Sequence, residues 1–273
     1  MKNNNVPLAY SPMRAFAFSL IALLAIVDAA WSQGIAAPSG RVSATPSARA
    51  AELPMYRPVL LGQGPNALIN RIDEQDLIRK GQKDALIMFM CAVRKDGGVE
   101  WGETYRGTPD SDFLKQELQK RISPASNPKF VPAVYNRQPV DAIYYGTVTF
   151  QVVNGRPRLR IFSNQEADEL AKEHDFIGPQ PFFGNDSGFT GFHYPSLETG
   201  HPEVDGVSEL KLKIDANGHL EGINVVSENP PLLGFGDAAI SDFKNAKFIP
   251  AFRDGKPVAC EVTLPVFYKA GGF

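Results

Sequence analysis

Apolar and polar residues alternate along several stretches of this chain. Leu210, Leu212 and Ile214 interleave with Lys211, Lys213 and Asp215, the period of two expected of a strand with one buried face. Asp215-Ala-Asn217-Gly218 follows, and because Asn and Gly tolerate positive φ it predicts a hairpin turn into a second strand over about 219–227. Asn-Pro-Pro at 229–231 and Gly234-Phe-Gly236-Asp237 interrupt the chain, and the period then changes. Ala239, Ile240, Phe243 and Ala246 fall on one helical face, with Asp237 placed to cap the helix and Pro250 to end it. Arg253-Asp-Gly-Lys256 predicts another turn. Val258, Cys260, Val262, Leu264 and Val266 then form one face of a last strand over about 257–268.

The same succession occurs earlier. Ala85 to Arg94 reads as a strand with Phe89, Cys91 and Val93 inward, Lys95-Asp-Gly-Gly98 as a turn, and 99–106 as a second strand. Thr108-Pro109-Asp110 opens a helix with Pro in its first turn, and Phe113, Leu114, Leu118 and Ile122 supply its buried face. Val140 to Val153 is the third strand. Residues 129–141, Lys-Phe-Val-Pro-Ala-Val-Tyr-Asn-Arg-Gln-Pro-Val-Asp, and 247–259, Lys-Phe-Ile-Pro-Ala-Phe-Arg-Asp-Gly-Lys-Pro-Val-Ala, share Lys, Phe, Pro, Ala, Pro and Val at one fixed offset, the mark of an internal repeat. The copies differ after the third strand. The first continues through an Asn154-Gly155 hairpin turn into a further strand, about 156–162. Nothing comparable follows the second.

The fold class expected is α+β: two tandem ββαβ units, each a small antiparallel sheet with one packed helix. The first unit spans 54–162 and the second 190–273. Between them, 163–174 reads as a short acidic helix, and 176–206 as a Gly-, Pro- and aromatic-rich approach to the second sheet.

The N-terminal residues carry a different pattern. Lys2 and Arg14 precede an apolar run from Ala15 to Val27, which Asp28 ends and Ala29, Ala30 and Ser32 follow. As a helix the run would be about 20 Å long, short of the roughly 20 residues that cross a bilayer comfortably. The basic, apolar, small-residue order predicts a secretory signal peptide over 1–32, cleaved after Ser32, or after Ala29 or Ala30, and hence export from the cytoplasm. An uncleaved anchor is the other reading. Residues 33–53, rich in Ala, Ser, Pro and Gly, read as a flexible linker.

Composition narrows the chemistry. With 28 basic and 30 acidic residues and a net charge of −2, the chain has no cationic excess to hold a phosphate backbone, so nucleic acid is not an expected partner. Two cysteines, Cys91 and Cys260, cannot make a disulfide framework or a closely spaced thiolate metal site, and read as small buried hydrophobes. A bridge between the copies would need an oxidising compartment. The four histidines, His174, His193, His201 and His219, form no metal-binding spacing. No nucleophile elbow and no phosphate-binding loop occurs. No catalytic residue, cofactor, metal or small-molecule substrate is expected.

A Tyr-Pro lead-in (His193-Tyr194-Pro195), a Gly before a strand (Gly206), the Asp215-Ala-Asn-Gly218 hairpin, Asp237-Ala-Ala-Ile240, Lys247-Phe-Ile-Pro-Ala251 and Gly255-Lys-Pro-Val258 together resemble the C-terminal domain of TonB, the periplasmic energy transducer of Gram-negative envelopes. The likeness covers about 190–269, and more weakly 54–153, with Tyr56-Arg57-Pro58 as lead-in. The resemblance implies a three-stranded antiparallel sheet with a helix on one face. It also implies a last strand at the sheet edge that takes up an extended segment of an outer-membrane receptor. The physical basis is β-augmentation, in which unclaimed main-chain groups on an edge template a new strand.

In the first copy, the extra strand would occupy the place such a segment needs. In the second, Pro265 stands where Thr147 stands in the first copy, and a Pro inside a strand suits an edge, although it would also guard that edge against aggregation. Partner contact is therefore expected at His193, Tyr194, Val262, Thr263, Leu264, Pro265, Val266, Phe267 and Tyr268, with an envelope protein or outer-membrane receptor peptide as partner. The alternative is a structural protein that dimerises through its sheet edges. For an energy transducer the resemblance implies a membrane helix with a Ser and a His on one face and a long Pro-rich spacer; no His accompanies Ser19 in the apolar run and residues 33–53 would reach only ~70 Å fully extended, so energy transduction is not expected.

Overall fold

The computed structural model describes residues 52–163, 175–196 and 203–272. The predicted signal peptide, all of the expected linker but its last two residues, residues 164–174 of the expected acidic helix, and the loop histidines His174 and His201 lie outside them; Ser163, placed at the start of that helix, instead ends the strand Arg156–Ser163. The first half contains β1 (Tyr56–Arg57), β2 (Leu60–Leu61), α1 (Leu68–Arg71), α2 (Glu74–Arg79), β3 (Ala85–Val93), β4 (Val99–Gly107), α3 (Asp112–Arg121), β5 (Phe130–Val131), β6 (Ala133–Tyr135), β7 (Gln138–Val153) and β8 (Arg156–Ser163). The second contains β9 (Phe176–Ile177), β10 (Gln180–Phe183), β11 (Gly206–Ile214), β12 (Leu220–Asn229), α4 (Phe235–Phe243), β13 (Phe248–Ile249), β14 (Ala251–Arg253), β15 (Lys256–Val258) and β16 (Cys260–Tyr268).

The alternating stretches become antiparallel ladders. β3 pairs with β4 on one side and β7 on the other, and β8 pairs with β7 from Gly146↔Ser163 to Val153↔Arg156, as the Asn154-Gly155 turn predicts. In the second half, β11 lies between β12 and β16. Phe89, Cys91 and Val93 face Leu114 and Leu118 of α3 in one core. Leu210, Leu212 and Ile214 pack with Phe235, Ala239 and Phe243 of α4 in another.

The Arg94-Lys-Asp-Gly97 and Asp215-Ala-Asn-Gly218 turns are stitched to the strand after the helix in the same way. The Phe130 N–H donates to the Gly97 carbonyl at 2.9 Å, and the Phe248 N–H to the Gly218 carbonyl at 2.8 Å. A Cβ on either glycine, both at positive φ, would stand about 2 Å from a phenylalanine carbonyl oxygen: 2.2 Å at Gly97 and 1.9 Å at Gly218. This close approach is what requires glycine there.

Several local expectations are corrected. α3 begins at Asp112, not at Pro109, because Asp110 adopts φ 61° and the chain turns before the helix. Phe113 is 41 % exposed and points away from the core that Leu114, Leu118 and Ile122 enter. Asp237 does not cap α4. The residue at that boundary is Gly234 at φ 78°, and Asp237 sits in the first turn, where a carboxylate still complements the helix dipole. The last strand is broken into β15 and β16 at Ala259. Cys260 is half-buried rather than inward, and neither cysteine is in a disulfide.

The approach to the second sheet contains strands too short and too Pro-rich for periodicity to show. β10 joins β7 to β13 and β9 pairs with β14, so the second half completes the first half's sheet. Residues 50–273 form one compact unit. Phe182, Ile249 and Phe252 enter the first core, and Met90, Ala92, Ile143 and Tyr145, on the back of the first sheet, enter the second. Among the described residues no helix is long and apolar enough to cross a membrane.

Candidate partner-binding edge

Alternation along β16 sends Val262, Leu264, Val266 and Tyr268 to the helix-packed face, and all are buried. The opposite face carries Thr263, which is exposed, then Pro265 and Phe267, which are buried. Phe267 stacks on Tyr105 of the first half at 6.3 Å between ring centroids. Most of the predicted contact side chains are thus committed to packing. The strand's main chain pairs with β11 along one flank.

β16 ends its sheet among the described residues: β11 pairs with it from Gly206↔Tyr268 to Ile214↔Cys260, and the sheet order is β12-β11-β16. Along its second flank runs a cavity of about 200 Å³, lined by Val262, Thr263, Leu264 and Pro265 and by Met88, Tyr145, Gln180 and other residues opposite. Four consecutive strand residues point alternately to both faces, so a wall containing all four is the strand's edge. The volume holds on the order of ten waters.

Electrostatics at the rim are fixed by one pair. Arg106 Nη1 lies 2.7 Å from Glu209 Oε1, and Ser227 Oγ donates to Glu209 Oε2 at 2.7 Å. The Ser227 hydroxyl first, then Arg106, hold this carboxyl below the usual glutamate range. On the inner wall, the Tyr145 hydroxyl is buried and has no hydrogen-bond partner among the described residues. Burial pushes its pKa far up, so the phenol remains a neutral donor.

His193 and Tyr194 are tied inward. The His193 N–H donates to Asp242 Oδ2 at 3.1 Å, and its ring Nδ1 is 2.7 Å from Asp242 Oδ1. Tyr268 Oη donates to Asp242 Oδ2 at 2.9 Å, and burial, then the adjacent carboxylate, push the Tyr268 phenol up. One buried carboxylate of α4 therefore joins the lead-in to the last strand. The Tyr194 hydroxyl donates to the Val204 carbonyl at 2.6 Å and accepts from the Val204 N–H at 2.9 Å, which fixes the entry into β11. Sequence reasoning missed Asp242. The signal was present, since 239, 242, 243 and 246 share one helical stripe and a carboxylate on an apolar stripe needs partners.

Among the described residues no cluster of His, Cys, Asp or Glu is placed to hold a metal ion. Compared with known proteins, residues 192–270 match the family model described as the Gram-negative bacterial TonB protein C-terminal. This stretch, from the lead-in through β16, is a TonB C-terminal-like domain. No curated protein and no solved structure matches the chain.

Proposed function

We propose that the chain is a non-catalytic protein-binding module of the Gram-negative periplasm. It recruits an extended segment of an envelope protein, such as an outer-membrane receptor, as an added strand beside β16. The observation that carries this reading is the position of β16: among the described residues it ends the sheet inside the family-matched stretch, with its second flank along the cavity. Main-chain bonds would supply affinity, and the cavity would select the side chains that enter.

In this reading the first half is a second, diverged copy serving as scaffold. β8 lies on β7 at the place a partner strand would take, and the back of the first sheet walls the cavity.

A photo-crosslinking side chain at position 263, compared with one at Val226 on the opposite edge, tests the proposal in living cells. The expected result is an adduct from 263 to an extended stretch of one envelope protein, with none from 226. Adducts from 226 alone, or none from 263, would overturn it.

A second reading, edge-to-edge association of two chains, is favoured by β12. Among the described residues that strand ends the same sheet, and it exposes Val225 and Val226. Light scattering showing a stable dimer, broken by a Val226→Lys change, would select it.

A further inference from the structure

The β7–β8 hairpin carries a surface that the proposed docking edge does not use. Arg156, Arg158 and Arg160 lie on one face of β8, all exposed, about 7 Å apart along the strand. None is in an ion pair among the described residues. The β7 residues opposite them, Val153, Gln151 and Thr149, are uncharged. The other face of β8 turns Leu159 and Ile161 into the first core, so the arginine face cannot rotate away from solvent without unpacking that core. In a chain of net charge −2, three guanidinium groups in a row, with no acidic partner among the described residues, are a local field of the opposite sign.

The tip adds a second, independent feature. β3 stops pairing at Ala85↔Phe150, so residues 151–158 continue as a two-stranded ribbon projecting roughly 10 Å, three residues at about 3.4 Å each. At its end stand Val152 and Val153, 41 % and 37 % exposed, beside the Asn154-Gly155 turn. The nearby acid, Asp84, accepts from the Val152 N–H at 3.0 Å at the base of the ribbon, and Lys83 beside it is paired with Asp110. Val153 lies opposite Arg156, so apolar and cationic side chains share the end of the ribbon, the mixed chemistry that an interfacial segment presents to acyl boundary and phosphate headgroups. A soluble anion would use the arginines and leave the valines without a role.

We propose that this hairpin docks on a bilayer bearing anionic phospholipids, with Arg156, Arg158 and Arg160 on headgroup phosphates and Val152 and Val153 at the acyl boundary. Each arginine near an anionic surface strengthens partitioning roughly fivefold, so the three together give a preference on the order of a hundredfold over a neutral surface.

The test is co-sedimentation of the exported protein, as recovered from cells, with vesicles of phosphatidylcholine alone or with 30 % phosphatidylglycerol. Any contribution of residues 1–32 is common to every variant, and thermal melts confirm folding. The expected result is an anionic preference on the order of a hundredfold that falls with added salt. The triple change R156Q/R158Q/R160Q should lose most of it. The double change V152S/V153S should keep the charge dependence but bind several-fold more weakly. Equal binding to both vesicles, or an unchanged triple variant, would overturn the proposal. So would short-chain polyphosphate or a single-stranded oligonucleotide binding as tightly as the anionic vesicles, since either would make the row a site for soluble polyanions.

Discussion

Asp242 gives the sharpest test of how the edge is held. Its side chain is 2 % exposed and receives the Tyr268 hydroxyl at 2.9 Å, the His193 N–H at 3.1 Å and the His193 ring at 2.7 Å. Asp242→Ala leaves the Tyr268 hydroxyl and the His193 N–H without their acceptor. Each such loss costs about 1–3 kcal/mol when the donor is buried. His193 is largely exposed and recovers part of its share from water, so the expected total is about 2–4 kcal/mol. Tyr268→Phe removes one donor from the carboxylate and should cost about 1–2 kcal/mol. In the double variant neither group is left stranded by the other, so the cost should fall short of the sum by about 1–2 kcal/mol. Urea unfolding of the four proteins measures the cycle. Costs that add to within about 0.5 kcal/mol would show that the two groups do not interact, and would refute the account of α4 tethering β16.

Three further outcomes are expected. Gly218→Ala should cost at least about 2–4 kcal/mol in chemical unfolding, because φ is +85° and the new Cβ would press on the Phe248 carbonyl; Gly97→Ala should behave alike if the two turns are stitched the same way. Tyr145→Phe should be neutral or stabilise by about 1 kcal/mol, since it removes a buried hydroxyl with no partner, and a loss above 1 kcal/mol would reveal an unseen bond. Glu209 has its folded pKa lowered, so its contribution is present above the ordinary glutamate value of about 4.3 and is lost as pH falls through the folded value. Glu209→Gln should therefore cost at most about 1 kcal/mol at pH 7, solvent screening included, and progressively less as pH falls below the ordinary glutamate value, measured by thermal melts along an acid series.

The regular ladders were legible because each has one wet and one buried face. Leu210, Leu212 and Ile214 set the register of β11, and Asn217-Gly218 set its turn. The repeated Lys-Phe-x-Pro-Ala was legible as identity, and the structure gives it a physical reason, since the Phe N–H meets the turn glycine in both halves. What failed was decided by neighbours distant in sequence. Phe113 belongs to the apolar helical pattern yet faces water. Cys260 loses its inward place because the chain breaks at Ala259. β9 and β10 are two and four residues long, too short to show a period, yet they join the halves. The cavity could not be read from sequence at all, because its walls come from Met88, Tyr145, Gln180 and β16. The place of β16 at the end of its sheet among the described residues agrees with the expectation drawn from Pro265 and the family resemblance. The burial of its side chains was legible only on the Val262, Leu264 and Val266 face.

The central claim is that a partner strand adds to β16. Once crosslinking from position 263 has identified a segment, the most direct measurement is amide hydrogen exchange of the protein with that segment supplied as a synthetic peptide. Slowed exchange confined to residues 260–268 and the residues walling the cavity is the predicted result. Protection appearing along 220–229 instead, or a peptide that binds while leaving the β16 amides unchanged, would contradict the account.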